Sequence, residues 1–258
     1  VQTCALPICE GQGTFGSVYL AKLADGHEVA IKHMPCEPSR ALEFEQQREI
    51  HSLETLCRHP SIVKLIEVTK TSFSVDLVFE RCDEDLNTFL LSASLRSFPS
   101  DKMLLFAWQL LDALAYVHEH RILHRDIKPA NLLVNADCRL KIADFGLART
   151  CASGAWCHGC VGTEHYLAPE VLEERFNELC DVWASGCVLY ECLRGDLLVP
   201  DVVVAAGRAA LQRFLKADIY ERVVQPCGRW RQGGFALESL LRRMLRVDVR
   251  VQIGRAHV

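Results

Sequence analysis

The stretch HRDIKPANLL, residues 124–133, places Asp126 between the basic residues Arg125 and Lys128, and Asn131 follows just before an apolar run. A single acidic residue in a loop is usually solvated surface. Here the carboxylate shares a short loop with an ammonium group and an amide, which is an unusual set for plain surface. We therefore treat Asp126, Lys128 and Asn131 as candidate functional residues, whose role depends on partners elsewhere in the chain.

The composition indicates a globular chain with one large core or two smaller ones that share an interface. Of the 258 residues, 50% are apolar and 24% are charged, which is enough apolar material for such cores. The net charge of −4 gives no basic surface for nucleic acid or an acidic membrane, so neither is expected as a partner. Because neither a membrane-spanning run nor a signal-peptide pattern is visible, we expect a cytoplasmic or nuclear location.

The 13 cysteines are scattered through mostly apolar contexts, which predicts reduced thiols in a chain too long to need disulfides. One group differs from the rest: Cys157 and Cys160 form a Cys-x-x-Cys pattern, and Cys151 lies nearby. No second pair follows at metal-ligand spacing, which favours ordinary loop residues over a zinc or redox site. The zinc or redox alternative stays open.

Both ends of the chain look foreign to the rest. Back-translation of VQTCALPI at residues 1–8 and of IGRAHV at residues 253–258 can give DNA strings that are reverse complements and resemble a short-read sequencing adapter. Chance is a poor explanation for complementary strings at opposite ends. We interpret these two segments as translated adapter and residues 9–252 as the biological part, cut at both sides and with its first strand truncated.

The order of the predicted elements divides the chain into two lobes. Residues 9–82 contain glycine-punctuated β-branched runs with a turn at Asp25-Gly26, a helical period over residues 39–57, and the strand-like runs SIVKLIEVT and SVDLVFE. This pattern predicts an antiparallel sheet with one helix. Residues 83–252 change to mainly helical patterns, so the predicted fold class is α+β, with the two lobes meeting near residues 80–84.

Two helices of the second lobe are clearest in the sequence. The segment DKMLLFAWQLLDALAYVHEHR predicts a helix, and its expected core stripe consists of Leu105, Trp108, Leu111, Leu114, Ala115 and His118. The segment DVWASGCVLYECLRG is apolar nearly all round, which is typical of a helix buried inside a lobe.

A glycine-rich segment and a lysine in the first lobe suggest a phosphate site. The segment contains Gly11, Gly13, Gly16 and Val18. It lies between two predicted strands, where backbone amides can close over phosphate oxygens, whereas a dinucleotide fold would need a helix after the glycines. Lys32 follows on a strand of core residues, and a buried ammonium needs an anionic partner. Glu49 on the next helix can pair with it and leave its remaining hydrogens for phosphates.

Together these motifs resemble the eukaryotic protein kinases. In the family's order and spacing stand the glycine loop, Val29-Ala30-Ile31-Lys32, Arg48-Glu49-Ile50, His124-Arg125-Asp126, Asn131, Asp144-Phe145-Gly146, Ala168-Pro169-Glu170 and Asp181-x-Trp183-x-x-Gly186. The resemblance covers nearly all of residues 10–250, and no other fold asks for this set. It implies a two-lobed kinase fold, ATP and Mg²⁺ as cofactors, and a protein substrate.

The resemblance also implies a role for each matched residue. Asp126 would orient the attacking hydroxyl and accept its proton, and Lys128 would steady the γ-phosphate. Asn131 and Asp144 would supply oxygens to Mg²⁺, and Lys32 would hold the α- and β-phosphates. The other residues assigned to the ATP site are Val18, Ala30, Glu49, Phe79 as gatekeeper, the backbone of Glu80 and Cys82 at the adenine edge, Asp85 at the ribose, and Leu133. Phe145 and His124 would stack with Leu53 in an internal spine.

The kinase class follows from smaller features. Lys128 and Thr163 resemble the serine/threonine class, in which Thr163 would hydrogen-bond the catalytic aspartate. LVFERCDEDL and HRDIKPANLL are most similar to the cyclin-dependent kinases. Leu167 and Gly162, however, replace an arginine and a larger residue of that group, so a proline-directed pocket is in doubt and the subfamily stays open. The resemblance allows for an activating subunit but does not identify it.

Two departures concern activation and stability. The activation-loop phosphate acceptor of many relatives would lie where this chain has His158 and Gly159, so we expect activation without the usual loop phosphothreonine; Thr150 and Ser153 sit earlier.

Glu170 should pair with an arginine where this chain has Gln252. Loss of a buried ion-pair partner costs about 3–5 kcal/mol. The codon for residue 252 borders the adapter-like string, so the gene could encode arginine.

Two other functions are compatible with the sequence. A non-catalytic scaffold would bind nucleotide in the same cleft without turnover. A small-molecule kinase on the same fold is less well supported, because the segment from Gly162 to Glu170 resembles a platform for a peptide substrate.

Overall fold

The structure is a computed structural model. The residues that it describes are 8–13, 16–36, 44–92, 100–152, 155–217, 219–224 and 234–246.

The first lobe is a five-stranded antiparallel sheet with one helix. The strands are β1 (Ile8–Gly13), β2 (Gly16–Lys22), β3 (Glu28–Pro35), β4 (Leu65–Lys70) and β5 (Ser74–Glu80), and α1 (Phe44–Leu56) lies between β3 and β4 in the chain. Their order in the sheet is β1-β2-β3-β5-β4. The predicted turn joins β2 to β3: Gly26 adopts a φ of 90°, which glycine allows at low cost, and the His27 N–H donates to Asp25 Oδ1 at 2.9 Å.

One predicted strand of this lobe begins later than expected. The run SIVKLIEVT was expected to be a strand throughout, but β4 begins only at Leu65. The backbone before it is taken by the second lobe, because the Val63 N–H donates to the Ile142 carbonyl and the Ile142 N–H donates to the Ser61 carbonyl, both at 2.9 Å. These bonds tie the lobes together. The predicted start of the first helix at residue 39 lies outside the described residues.

The second lobe is mainly helical. Its helices are α2 (Leu86–Ser92), α3 (Ser100–Glu119), α4 (Pro169–Leu172), α5 (Leu179–Arg194), α6 (Asp201–Ala205), α7 (Arg208–Ala217), α8 (Ile219–Val224) and α9 (Gly234–Met244). Short strands connect them: β6 (Glu84–Asp85), β7 (Ile122–Leu123), β8 (Leu132–Val134), β9 (Leu140–Ile142), β10 (Arg149–Thr150), β11 (Cys157–His158) and β12 (Arg175–Phe176). The predicted α+β architecture with two lobes is confirmed.

The two helices predicted most clearly are present, but one faces differently. In α5 most side chains are buried, including Trp183 at 1% exposure, as its apolar sequence indicates. In α3 the predicted stripe was wrong at Leu105 and Trp108, which are 42% and 63% exposed, but correct at Leu114, which is buried. The buried face of α3 carries Met103, Phe106, Leu110, Leu114 and Val117. Apolar residues at almost every position gave two candidate stripes, and packing selected the second.

None of the helices in the described part of the chain is both long and apolar enough to cross a membrane.

Candidate active site

A buried carboxylate at the start of α5 holds the loop that carries Asp126. Asp181 is 1% exposed and accepts hydrogen bonds from the backbone N–H groups of His124 at 2.9 Å and Arg125 at 2.8 Å, and from His118 Nε2 at 2.9 Å. Burial alone would raise the pKa of Asp181, but these histidines and hydrogen bonds hold it below its usual value. Because the helix is fixed in the core, the loop is fixed as well.

Three side chains hold the carboxylate of Asp126. The hydroxyl and the N–H of Thr163 donate to its Oδ1 at 2.8 and 3.1 Å, so the predicted contact is present. Asn131 Nδ2 donates to Oδ2 at 3.0 Å, and Lys128 Nζ lies 2.8 Å from the same oxygen. Lys128 also donates to Thr163 Oγ1 at 3.0 Å. The four predicted catalytic residues therefore form one hydrogen-bonded group.

His124 links this group to the next strand and helical turn. Its Nε2 donates to the Ala143 carbonyl at 2.9 Å, and its Nδ1 accepts from the Asp126 N–H at 3.2 Å, an assignment that follows from the partners of the two nitrogens. Its ring meets that of Phe145 edge to face, with the centroids 4.8 Å apart. Leu53 is buried in the same core. The predicted stacking of His124 and Phe145 is present.

The second polar group surrounds Lys32. Its ammonium donates to Glu49 Oε1 at 2.7 Å, to Glu49 Oε2 at 2.9 Å and to Asp144 Oδ1 at 3.0 Å. Burial alone would lower the pKa of Lys32, but the two carboxylates raise it above its usual value. The predicted pairing with Glu49 is present. Asp144, however, takes a hydrogen that the sequence analysis left for phosphates, because a buried ammonium needs each hydrogen paired.

The site has oxygen atoms that fit a magnesium ion. Both hydrogen bonds of Asn131 Nδ2 go to Asp126, which leaves Asn131 Oδ1 as the ligand atom of that amide. Asp144 uses Oδ1 for Lys32 and keeps a second carboxylate oxygen. The N–H of Ala143, the residue before Asp144, donates to the Asn131 carbonyl at 2.9 Å. This bond holds Asn131 and Asp144 side by side. An amide oxygen and a carboxylate suit Mg²⁺, which prefers oxygen ligands.

Asp144 and Arg125 also stand out in their backbone conformation. Neither is glycine, yet their φ angles are 57° and 68°, in the left-handed region that costs a side-chain-bearing residue energy. Such conformations concentrate at functional sites, where the surrounding contacts fix them.

The glycine-rich segment forms the turn between β1 and β2. Gly13 pairs with Gly16, and a strand follows, as predicted. Val18 pairs with Lys32 across β2 and β3, which places this hairpin beside the ammonium. Gly11 pairs with Val18 in β1 and β2. Residues 14 and 15 at the tip lie outside the described part of the chain.

The predicted adenine edge lies where β5 leaves the sheet. Ala30 pairs with Phe79 across β3 and β5, and both are half-buried. The Glu80 N–H donates to the Lys64 carbonyl at 3.1 Å, so this N–H is already used within the protein. Burial and the Glu80 charge raise the pKa of the half-buried Cys82 thiol to about 11.

Asp85, the predicted ribose ligand, caps a helix. Its Oδ1 accepts from the Thr88 N–H at 2.9 Å and its Oδ2 from the Thr88 hydroxyl at 2.8 Å, an arrangement that satisfies the first turn of α2. Leu133 pairs with Asp85 in the small sheet of β6 and β8. The ribose role of Asp85 stays a prediction.

The activation segment, residues 144–170, reaches Asp126 through a glycine. Gly162 has a φ of 116°, and a Cβ at this position would lie 2.6 Å from the Arg125 carbonyl oxygen, so only glycine fits. Arg125 Nε donates to the Leu147 carbonyl at 2.7 Å. Arg149 Nη1 donates at 3.0 Å to the carbonyl of His158, one of the two positions at which the family resemblance places a phosphate acceptor. Thr150 is exposed in β10, and Ser153 lies outside the described residues.

Several contacts of the site were missed in the sequence analysis. His118 was assigned to an apolar stripe, but it donates to Asp181. Lys141 was not singled out, yet it is 7% exposed and bonds to Glu80 Oε1 at 2.8 Å and the Pro60 carbonyl at 2.9 Å. Lysine on a short strand and histidine near a helix end carry no distinctive sequence signal. For the zinc alternative, no cluster of three or more possible ligands occurs among the described residues.

A comparison with known protein families agrees with this geometry. The family model described as the protein kinase domain matches residues 10–257, which is nearly the whole chain. The chain therefore belongs to the protein kinase family.

Proposed function

We propose that this chain is a serine/threonine protein kinase that transfers the γ-phosphoryl group of MgATP to a protein hydroxyl. The observation that carries the proposal is the carboxylate of Asp126, held by Thr163, Asn131 and Lys128. Hydrogen bonds from Asp126 to His124 and from His124 to Ala143, the residue before Asp144, connect this carboxylate to the Lys32–Glu49–Asp144 group. A kinase needs these two groups together, because phosphoryl transfer depends on positioning and on charge stabilisation.

Each residue has a defined part in this proposal. Asp126 orients the acceptor hydroxyl and takes its proton at a carboxylate oxygen. Lys128 keeps a positive charge beside that oxygen, and Lys32 provides a second one for phosphate oxygens. Asn131 and Asp144 would hold Mg²⁺. MgATP, when bound, supplies the phosphoryl group and the divalent charge that neutralises it.

The serine/threonine class is supported by the contact between Lys128 and Thr163, since the family resemblance associates both residues with that class. The hinge and catalytic-loop sequences support a relationship to the cyclin-dependent kinases. Against a proline-directed pocket stand Gly162, which has no room for a Cβ, and Leu167, which is buried. We propose a kinase related to the cyclin-dependent kinases that lacks their specificity for a proline next to the acceptor.

The test is phosphate transfer from labelled ATP to a library of serine, threonine and tyrosine peptides, followed by phosphoamino-acid analysis. Asp126→Asn should reduce transfer by about 10²- to 10⁴-fold. Asp137→Asn is the matched control, because Asp137 is exposed and bonds only locally, to Arg139 and its own loop. ATP binding without transfer by the unmodified chain would favour the scaffold alternative, and phosphotyrosine would exclude the proposed class.

We further propose that activation does not need a phosphothreonine in the activation segment. The positions of the usual acceptor carry His158 and Gly159, and Arg125 already bonds to the Leu147 carbonyl. Phosphopeptide mapping of the active enzyme should find no stoichiometric phosphate at Thr150 or Ser153. A phosphate there whose removal abolishes activity would overturn this proposal.

The domain limits and the location are also proposals. We propose that residues 1–8 and 253–258 are translated adapter and that the kinase lobes occupy residues 9–82 and 83–252, in the cytoplasm or nucleus. The complementary back-translated strings support the first part. Sequencing of the source transcript across both ends tests it: native codons for VQTCALPI and IGRAHV would reject the adapter interpretation. Fluorescent tagging of the protein in its source cells tests the location.

A further inference from the structure

Two cysteine thiols meet inside the activation segment. The sulfur atoms of Cys151 and Cys157 lie 2.6 Å apart, although both are free thiols in this structure. Cys151 is 9% exposed and Cys157 is 3% exposed. Cys160, the third thiol of the motif, is exposed. The pair that the fold brings together is therefore not the Cys-x-x-Cys pair of the sequence.

Each of the two cysteines lies at an anchor of the activation segment. The Cys151 N–H donates to the Arg121 carbonyl at 2.8 Å, which continues the pairing of β10 with β7 just before the catalytic loop. Cys157 pairs with Phe176 across β11 and β12, just after α4. Because hydrogen bonds to neighbouring strands hold the backbone at Cys151 and at Cys157, the fold itself brings the two sulfurs together. A disulfide bond is about 2.05 Å long, so bonding needs only a small movement.

We propose that Cys151 and Cys157 form a redox modification site, at which a peroxide joins the two sulfurs in a disulfide that fastens the activation segment. One thiolate attacks a peroxide oxygen, the O–O bond breaks, and a sulfenic acid and one water result. The second sulfur then attacks the sulfenic sulfur, the S–S bond forms, and the oxygen leaves as a second water. Two thiols thus lose two protons and two electrons, and the peroxide is reduced to water.

The disulfide would do covalently what a loop phosphate does by charge in other kinases. Thr163, six residues after Cys157 in the sequence, holds Asp126 through its hydroxyl. His158 and Gly159 occupy the acceptor positions, so in this chain the crosslink would take the role that the family resemblance gives to the phosphate. A crosslink that closes a short loop restricts the opened state and lowers its population by on the order of tenfold or more. This inference goes beyond the proposed function and does not depend on serine/threonine specificity.

The environment of the pair predicts slow oxidation. Burial and the neighbouring Cys157 thiol raise the pKa of Cys151 to about 11. Since the thiolate is the reactive form, the reaction at neutral pH should be slow and should accelerate as the pH rises. Once formed, the buried bond should also be protected from reductants in solution.

The test uses the full chain, treated with hydrogen peroxide or with buffer, alkylated and digested with trypsin. Cleavage after Arg149 and Arg175 gives a single peptide that contains Cys151, Cys157 and Cys160. Reduced protein should show this peptide with three alkylated cysteines. Oxidised protein should show the same peptide with only Cys160 alkylated. Apart from the alkyl groups, its mass should be lower by two hydrogens. Dithiothreitol should reverse the change.

Amide hydrogen exchange over residues 155–166 supplies the second readout. It should slow by about tenfold or more on oxidation, in the unmodified protein and in Cys160→Ser, but not in Cys157→Ser. The reduced and oxidised states of one protein are compared directly, so the result does not depend on how well a variant folds. A disulfide that involves Cys160, oxidation of other cysteines only, or unchanged exchange in the crosslinked protein would each overturn the proposal.

Discussion

The contacts of Asp126 divide between its two carboxylate oxygens. Thr163 donates twice to one carboxylate oxygen, and Asn131 and Lys128 contact the other. Contacts on both oxygens fix the direction of the carboxylate. The carboxylate is thus oriented before any substrate arrives. Pre-organisation of this kind is what a proton acceptor requires, because little can be gained by reorientation during the reaction.

Replacement of Thr163 by valine should test that orientation. The variant keeps the shape and the backbone N–H but removes the hydroxyl that donates to Asp126 at 2.8 Å. Because a hydrogen bond to a charged group contributes about 1.5–3 kcal/mol, kcat should fall by about 10- to 100-fold, with KM for ATP unchanged. Steady-state kinetics measures both, and Thr163→Ser should recover most of the rate. An increase in KM with normal kcat would mean that Thr163 acts in binding instead.

Sequence alone located the polar residues of the site better than their partners. The resemblance to the protein kinases identified Lys32, Glu49, Asp126, Asn131 and Asp144, because each belongs to a motif with a chemical requirement. The bond between Lys32 and Asp144, which joins residues far apart in the chain, was not foreseen. Motifs carry information about local geometry, whereas a contact between residues far apart in the chain depends on how the lobes pack.

At the scale of elements, a glycine of the activation segment packs directly against the catalytic loop. Gly162 lies against the Arg125 carbonyl, and the next residue is Thr163. The contact requires both a left-handed φ and the absence of a Cβ. A larger residue would push the segment away from the loop that holds Asp126.

The variant Gly162→Ala should therefore lower activity by about tenfold or more, since displacement of a catalytic group by a fraction of an ångström already impairs positioning. Gly159→Ala is a matched control: its φ of 115° is nearly the same as the 116° of Gly162, but no atom lies within 4 Å of a Cβ built there. Both variants place a Cβ on a residue with nearly the same positive φ, so the difference between them isolates the clash. Equal activity of the two variants, measured by peptide phosphorylation, would contradict this account.

Elements were predictable where the pattern was unambiguous. The run SVDLVFE became β5 with the expected ends, and the nearly all-apolar segment became the buried α5. For α3 the helix was predicted but not its face, because apolar residues occur on all sides and Trp108 was the more conspicuous choice. The first residues of SIVKLIEVT failed as a strand because the second lobe uses their backbone groups.

At the scale of the whole molecule, the lobes are joined by polar contacts as well as by backbone. Lys32 in the first lobe bonds to Asp144 in the second at 3.0 Å, and Lys141 in the second bonds to Glu80 in the first at 2.8 Å. Both lysines are nearly buried. Each contact supplies a partner to a buried ammonium, which is costly to leave unpaired, so these two contacts should fix the relative position of the phosphate and adenine regions.

The stability of the whole chain should depend on the ionisation of Glu170. This residue is 7% exposed, and no cation in the described part of the chain pairs with it; burial and the nearby Glu173 raise its pKa to about 7. The folded protein therefore keeps a proton that the unfolded chain loses at lower pH. Between about pH 4.5 and 7 the unfolding free energy should fall as the pH rises, by about 3 kcal/mol for this shift.

Glu170→Gln removes this ionisation, so thermal melts of the two proteins across pH should isolate it from all other groups. The variant should melt at the higher temperature at pH 8, by roughly 2–4 °C for each kcal/mol, and the difference should vanish toward pH 4.5. Gln252→Arg should likewise stabilise the protein at pH 8, because it restores the cation that the family resemblance places opposite Glu170. A difference between wild type and Glu170→Gln that stays constant with pH would show that Glu170 is already paired and ionised.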